Sequence, residues 1–140
     1  MDNLIKKHAD KIRFVLVGGT NTLIDMVILF SLFNLAGLPV FYANIISTSI
    51  ALTFSFFANK TFTFKDGNKI TKTKMATFLA ITLFGLWIIQ PIIIAIVRAA
   101  IGQVITDGNM LLFIGKILAT CVTMAWNYLL YRKFVFKTKN

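Results

Sequence analysis

Carboxylates, cysteine and histidine are scarce in this chain of 140 residues. It has five Asp and Glu, one Cys and one His, so a disulfide within the chain is impossible and a cluster of metal ligands is not expected. Only Asp25 among the carboxylates lies inside an apolar segment, which leaves no acid and base pair for glycosyl transfer. Gly115 and Lys116 lack the other residues of a P-loop. We therefore expect neither an enzyme nor a cofactor.

Charged residues make up only 14% of the chain, whereas 57% is hydrophobic, a balance that excludes a domain solvated by water. Four apolar segments reach the roughly 20 residues that a helix needs to cross a membrane. The sequence predicts an all-α integral membrane protein with one domain over 1–140 and four transmembrane helices, at about 14–36, 41–58, 75–97 and 110–131. Gly37 and Pro39 predict a tight turn, so the first two spans should be antiparallel neighbours.

Basic residues flank these spans unevenly. In a model with four spans, all Lys and Arg fall on one side except Arg98, on the other side, and Lys116, within a span. The positive-inside rule then predicts that both termini are cytoplasmic and that the chain is a multi-pass protein of the cytoplasmic (inner) membrane. This placement favours membrane lipid over nucleic acid as the partner of the basic residues.

One basic and aromatic phrase occurs twice, as "NKTFTFK" at 59–65 and "YRKFVFK" at 131–137. Each copy follows a pair of spans, so we predict two parallel-repeat helical hairpins. The phrase is typical of a membrane anchor, with rings and cations at the level of the headgroups. The alternative is that Lys60 and Arg132 also hold a phosphate-bearing ligand at that depth.

Asp25 and Lys116 are charged residues within predicted spans, where a carboxylate costs about 2.5–3.5 kcal/mol on insertion scales. They lie at similar depths, so they can form a pair if the first and fourth spans touch. Such a pair would be purely structural, or the two residues would form a substrate or proton site. Both interpretations remain open at this stage.

Polar side chains share a helix face with each charged residue. The stripes, at helical spacing, are Gly18, Asn21 or Thr22, and Asp25 in the first span, and Lys116, Thr120, Thr123 and Asn127 in the fourth. They predict a polar groove. A third stripe in the second span favours close helix packing instead: Ala43, Ser47, Ala51 and Ser55. Pro91 predicts a kink in the third span.

Three stretches, "FVLVGGTNTLIDMVIL", "NKTFTF" and "GKILATCVTMAWNYLLYRKFVF", resemble the GtrA-like family of small membrane proteins with four spans. The resemblance covers nearly the whole chain. It implies translocation of a polyprenyl-phosphate-linked sugar, such as undecaprenyl-phosphate glucose, for glycosylation of surface polysaccharide or teichoic acid. The family usually has Arg where this chain has Lys60, which replaces a bidentate fork by a point charge.

Together with this resemblance, the positions of the polar residues suggest that they bind the substrate. Lys60 and Arg132 would capture the phosphate, Lys116 would attract it during passage, and the sugar would be bound by Asn21, Asp25, Thr120, Thr123 and Asn127. We expect a homo-oligomer and a membrane glycosyltransferase as a further partner. Two alternatives are a proton-coupled exporter of cationic compounds, which Lys116 disfavours, and a subunit of a glycosyltransferase that does not itself transport.

Overall fold

The computed structural model describes residues 2–136, with side chains from residue 8 onward except that of residue 40. The described chain is all helical. It contains five α-helices and three single π-helical turns, here called π-turns. The α-helices are α1 (Asp2–Asn34), α2 (Val40–Ala58), α3 (Lys72–Phe84), α4 (Gln90–Ile101) and α5 (Gly108–Leu130), and the π-turns are Asn59–Thr63, Gly85–Ile89 and Tyr131–Val135.

Four helical stretches are long and apolar enough to cross a membrane, which confirms the predicted number and identifies a multi-pass membrane protein. They are His8–Asn34, Phe41–Thr63, Lys72–Ile101 and Gly108–Val135. The second and fourth run past the predicted ends at 58 and 131 because a π-turn continues each helix. The first α-helix ends at Asn34, two residues before the predicted end at 36.

The chain divides into two compact units. The first, here called the first hairpin, contains α1 and α2 and extends to Lys69. The second hairpin contains α3, α4 and α5, over Ile70–Phe136. The cytoplasmic placement of the termini, the repeat relationship of the two halves and their union in one domain stay predictions.

The tight turn predicted at Gly37 and Pro39 is confirmed between α1 and α2. Gly37 has a φ of 65°, in the left-handed region that favours glycine. The amide of Leu38 donates to the carbonyl of Leu32 at 3.1 Å, so the chain folds back over the end of α1. Pro39, with a φ of −54°, directly precedes α2. The two helices can therefore pack against each other as antiparallel neighbours.

The stripe of small residues in α2 lies in the packed part of the first hairpin. Ala43 and Ser47 are fully buried and Ala51 is nearly so, while Ser55 is half-buried. Small side chains let helix backbones approach closely, which is the main source of helix association in lipid. The interpretation of this stripe as a packing surface is confirmed.

The third span changes its helical register shortly before Pro91. The amide of Gln90 donates to the carbonyl of Gly85, five residues earlier, in the π-turn Gly85–Ile89. Proline lacks an amide hydrogen and its ring crowds the preceding turn, so a widened turn here relieves the clash. The kink predicted at Pro91 stays a prediction, and the π-turn lies directly before it.

Candidate functional site

The first copy of the repeated phrase folds into a π-turn and a reciprocal lysine clamp. The amide of Phe64 donates to the carbonyl of Asn59 at 2.9 Å. Lys60 donates through Nζ to the carbonyl of Asp66 at 2.6 Å, and the amide of Asp66 donates back to the carbonyl of Lys60 at 2.7 Å. Lys65, between them, has a φ of 49°. These bonds terminate the helix and bury Lys60, which is only 8% exposed.

The two phenylalanines of this phrase have opposite surroundings. Phe64 is completely buried, and its ring centroid lies 6.4 Å from that of Phe14 in α1. Phe62 is 48% exposed, and the guanidinium carbon of Arg13 lies 5.6 Å from its ring centroid. The end of α2 is thus fastened to α1 by one ring, while the other supports a cation.

The second copy makes the same local arrangement within the second hairpin. The amide of Phe136 donates to the carbonyl of Tyr131 at 2.7 Å, and the ring of Phe136 lies 6.2 Å from that of Phe78 near the start of α3. Tyr131 stacks on Phe78 at 4.7 Å and shares a short hydrogen bond with the hydroxyl of Thr82. Phe134, like Phe62, remains exposed. Each hairpin therefore has a buried aromatic pair at its basic end, the end that carries the repeated phrase.

The predicted phosphate contacts, Lys60 and Arg132, differ in their surroundings. Lys60 is buried in the clamp described above, whereas Arg132 is exposed on the third π-turn. The neighbouring Lys133 places Nζ 5.2 Å from the ring centroid of Phe134. The two cations occupy the same place in the phrase but only Arg132 is accessible from outside.

Asp25 and Lys116 each have a neutral partner inside their own hairpin. Thr48 on α2 donates to Asp25 Oδ1 over a long 3.4 Å, and Lys116 donates through Nζ to Gln90 Oε1 at 3.3 Å. Gln90 is buried, with 8% exposure, while Asp25 is half-buried. The predicted pairing of Asp25 with Lys116 stays a prediction, because the two residues belong to different hairpins.

The remaining predicted site residues divide into two groups by their hydrogen bonds. Thr120 and Thr123 donate to carbonyls of their own helix, those of Lys116 and Ala119, each at 2.7 Å. In contrast, some buried polar atoms have no hydrogen-bond partner within residues 8–136: Asn21 Oδ1, Asn59 Oδ1, Thr63 Oγ1 and Asn127 Oδ1. Three of these are amide oxygens, which can accept a hydrogen bond from a hydroxyl group.

Gly85 lets the second π-turn approach the polar stripe of α5. A Cβ at position 85 would lie 2.7 Å from Thr123 Cγ2, closer than packed atoms allow, and 3.3 Å from Asn127 Oδ1, a tight contact. The close contact fixes both polar residues against the backbone of the π-turn. Gly85 therefore positions part of the candidate site in the second hairpin.

A groove of about 630 Å³ opens between α1 and α2 at the basic end of the first hairpin. Its walls are mostly apolar. They comprise Leu16, Val17, Phe54, Phe57, Ala58 and Phe62, with Thr20 and Thr61 as the polar members. The hydroxyl of Thr61 donates to the carbonyl of Phe57 at 2.8 Å, which leaves little polarity facing the groove.

Sequence reasoning missed three residues that the structure brings to the charged and aromatic groups. Thr48 has no charge to draw attention to it, although an antiparallel hairpin turning at Gly37 could have placed it near Asp25. Gln90 precedes Pro91 in the third span, where an amide in an apolar segment suggests a buried partner. Arg13 was grouped with the other flanking cations, and nothing in its spacing distinguished it.

Residues 13–136 match the sequence model of the family described as GtrA/DPMS, transmembrane domain. No curated protein and no solved structure matches the chain. The matched region contains both buried aromatic pairs and all the candidate site residues, from Asn21 to Arg132. The resemblance that the sequence motifs carried is confirmed, and the chain belongs to the GtrA/DPMS transmembrane-domain family.

Proposed function

We propose that this protein translocates a polyprenyl-phosphate-linked sugar, such as undecaprenyl-phosphate glucose, across the cytoplasmic membrane for glycosylation of surface polysaccharide or teichoic acid. Membership of the GtrA/DPMS family supports involvement in this kind of transport. The observation that carries the proposal is the pair of charged groups held inside the spans. Asp25 and Lys116 are costly in a membrane, and their neutral partners Thr48 and Gln90 do not neutralise them.

The chemistry of the cargo explains why such groups would be kept. A lipid-linked sugar leaves its chain in hydrocarbon, while its phosphate and hydroxyls must cross the apolar layer. In the first hairpin, Asp25 and the unpartnered oxygen of Asn21 can accept hydrogen bonds from sugar hydroxyls. In the second hairpin, Asn127 offers another acceptor and Lys116 offers a cation for the phosphate.

The remaining polar residues suit supporting roles. Arg132 is exposed at the basic end of the second hairpin, where it can meet a lipid phosphate with a planar fork. Thr120 and Thr123 have used their hydroxyl hydrogens within α5, so toward a sugar they can act only as acceptors. Transport would be downhill, driven by synthesis on one side and consumption on the other, with no chemical change to the cargo.

Purified protein in liposomes tests the proposal. A fluorescent polyprenyl-phosphate glucose is placed in both leaflets, and a membrane-impermeant quencher measures how fast inner-leaflet lipid appears outside. We expect the wild-type protein to accelerate exchange and Asp25→Asn, which removes the charge but keeps the size, to slow it on the order of tenfold, the usual worth of a charged hydrogen bond.

Ser49→Ala is the matched control. Ser49 lies next to Thr48 on α2, is exposed, and donates to the carbonyl of Ile45 in its own helix, so its loss should leave the rate unchanged. Wild-type protein that fails to accelerate exchange would contradict translocation and favour a subunit that serves a glycosyltransferase. Resistance of overexpressing cells to lipophilic cations, with unaltered wall glycosylation on deletion, would favour the exporter.

A further inference from the structure

A cation stands at the end of the apolar groove of the first hairpin. Phe62 lines that groove, and the guanidinium of Arg13 lies over the same ring, 5.6 Å from its centroid. Arg13 is half-buried, so α1 and the ring limit its positions. The groove is open to its surroundings, because Leu16 is 57% exposed and Phe57 is 44% exposed. A hydrocarbon chain can therefore enter it from the side.

The donors of Arg13 are unused within the described structure. The guanidinium carbon lies 5.6 Å from the ring centroid of Phe62, and no hydrogen bond or ion pair joins Arg13 to another residue of 8–136. Lys60, by contrast, is buried and donates to the carbonyl of Asp66. A guanidinium carries its N–H groups in a planar fork, which can bind a phosphate bidentately.

The second hairpin has a lysine in place of an arginine over its exposed ring: Lys133 places Nζ 5.2 Å from the centroid of Phe134, the counterpart of Phe62. Arg13 directly precedes Phe14, the ring that receives Phe64; in the second hairpin the residue that directly precedes Phe78 is Thr77. Its hydroxyl donates to the carbonyl of Thr73. A lysine ammonium is a point charge that suits a general anchor to anionic lipid, whereas the guanidinium of Arg13 can bind a phosphate bidentately.

We propose that the groove between α1 and α2 is the docking site for the hydrocarbon chain of a lipid phosphate, with Arg13 as the phosphate ligand. The occupant is the polyprenyl-phosphate cargo, so this inference rests on the proposed function and gives it an entry site. Arg13, rather than the buried Lys60, makes the first contact with the phosphate in the first hairpin.

Binding of farnesyl phosphate to the purified full-length protein in neutral detergent tests this, with farnesol as the probe that lacks a phosphate. We expect the wild-type protein to bind farnesyl phosphate more tightly than farnesol. Arg13→Gln should weaken binding of farnesyl phosphate by about tenfold or more, with little effect on farnesol. Arg13→Lys, which keeps the charge without the fork, should fall between them. Lys11→Gln, an exposed cation two residues away, should bind as the wild-type protein does.

Thr20→Trp tests the groove itself. Thr20 lines the groove, and its hydroxyl has no hydrogen-bond partner in the described part of the protein. A bulky ring there should exclude the hydrocarbon chain and weaken the binding of both farnesyl phosphate and farnesol. Elution volume in gel filtration and the thermal unfolding midpoint check that each variant folds. If Arg13→Gln misfolds, Arg13→Lys and Thr20→Trp carry the test.

Three outcomes would overturn the inference: equal binding by Arg13→Gln and the wild-type protein, undiminished binding by Thr20→Trp, or displacement of farnesyl phosphate by phosphatidylglycerol at equal concentration. The last would make the groove a site for bulk anionic lipid. Because binding is measured without transport, the two proposals can fail separately. Binding that depends on Arg13 without any acceleration in liposomes would contradict the proposed function alone.

Discussion

At the scale of single residues, Gly85 shows how little space separates the second π-turn from α5. A Cβ there would lie 2.7 Å from Thr123 Cγ2, which belongs to a buried β-branched side chain that cannot rotate away freely. We expect Gly85→Ala to lower the free energy of unfolding by about 1–3 kcal/mol, the usual cost of overpacking. Thermal unfolding in detergent, followed by circular dichroism, measures this.

Gly19→Ala is its control. Gly19 is also within a helix, but a Cβ there would meet no atom within 4 Å. Alanine is favoured over glycine in a helix by about 1 kcal/mol, so this variant should be neutral or slightly stabilising. Equal behaviour of the two variants would show that the close approach at Gly85 does not limit stability.

Lys60 and Arg132 show that residues at equivalent places in a repeated phrase can differ in role. Lys60 donates to the carbonyl of Asp66, and that bond helps to close the loop after α2. Arg132 is exposed on its π-turn. A flexible lysine chain can fold back onto a carbonyl, while a guanidinium is better suited to a phosphate.

At the scale of elements, the π-turns decide which aromatic side chain of each phrase points inward. The extra residue in a π-turn shifts the helix face, so that Phe136, five residues after Tyr131, returns to the ring of Phe78. Phe136 is 1% exposed and Phe134 is 59% exposed. Phe136 and Phe134 therefore allow a matched test of how much a buried and an exposed ring of one phrase contribute to stability.

We expect Phe136→Ala to lower the free energy of unfolding by about 3–5 kcal/mol, because it removes a buried ring from a cluster of three. Phe134→Ala should change it by no more than about 0.5 kcal/mol, as is usual for exposed positions. Unfolding by denaturant in mixed micelles measures both. Similar losses of unfolding free energy for the two variants would show that the buried aromatic pair does not stabilise the basic end of this hairpin.

At the scale of the whole molecule, the predicted orientation in the membrane rests on the distribution of charge. With Cys121, which is exposed, replaced by Ser, one new cysteine is placed at Asn68 or at Gln103, both exposed loop positions. An impermeant maleimide applied to intact cells should label the cysteine at 103, while the one at 68 should react only after lysis, since basic loops stay in the cytoplasm. Labelling of position 68 in intact cells would reverse the predicted topology.

The sequence by itself determined the number of spans, the turn at Gly37, the packing stripe in α2 and the family. These follow from the thickness of the bilayer, from backbone sterics and from helical periodicity, which act locally along the chain. The sequence also identified Asp25 and Lys116 as unusual, because a charge within an apolar span is costly wherever its partner lies.

Only the tertiary structure decided which groups meet. That Thr48 faces Asp25, that Gln90 faces Lys116 and that Arg13 lies over Phe62 all depend on the rotation of one helix against another. Each π-turn changes that rotation by one residue, and helical periodicity assumes a constant pitch. The sequence therefore showed which polar and charged residues lie in the spans, but helix packing determined which residues they contact.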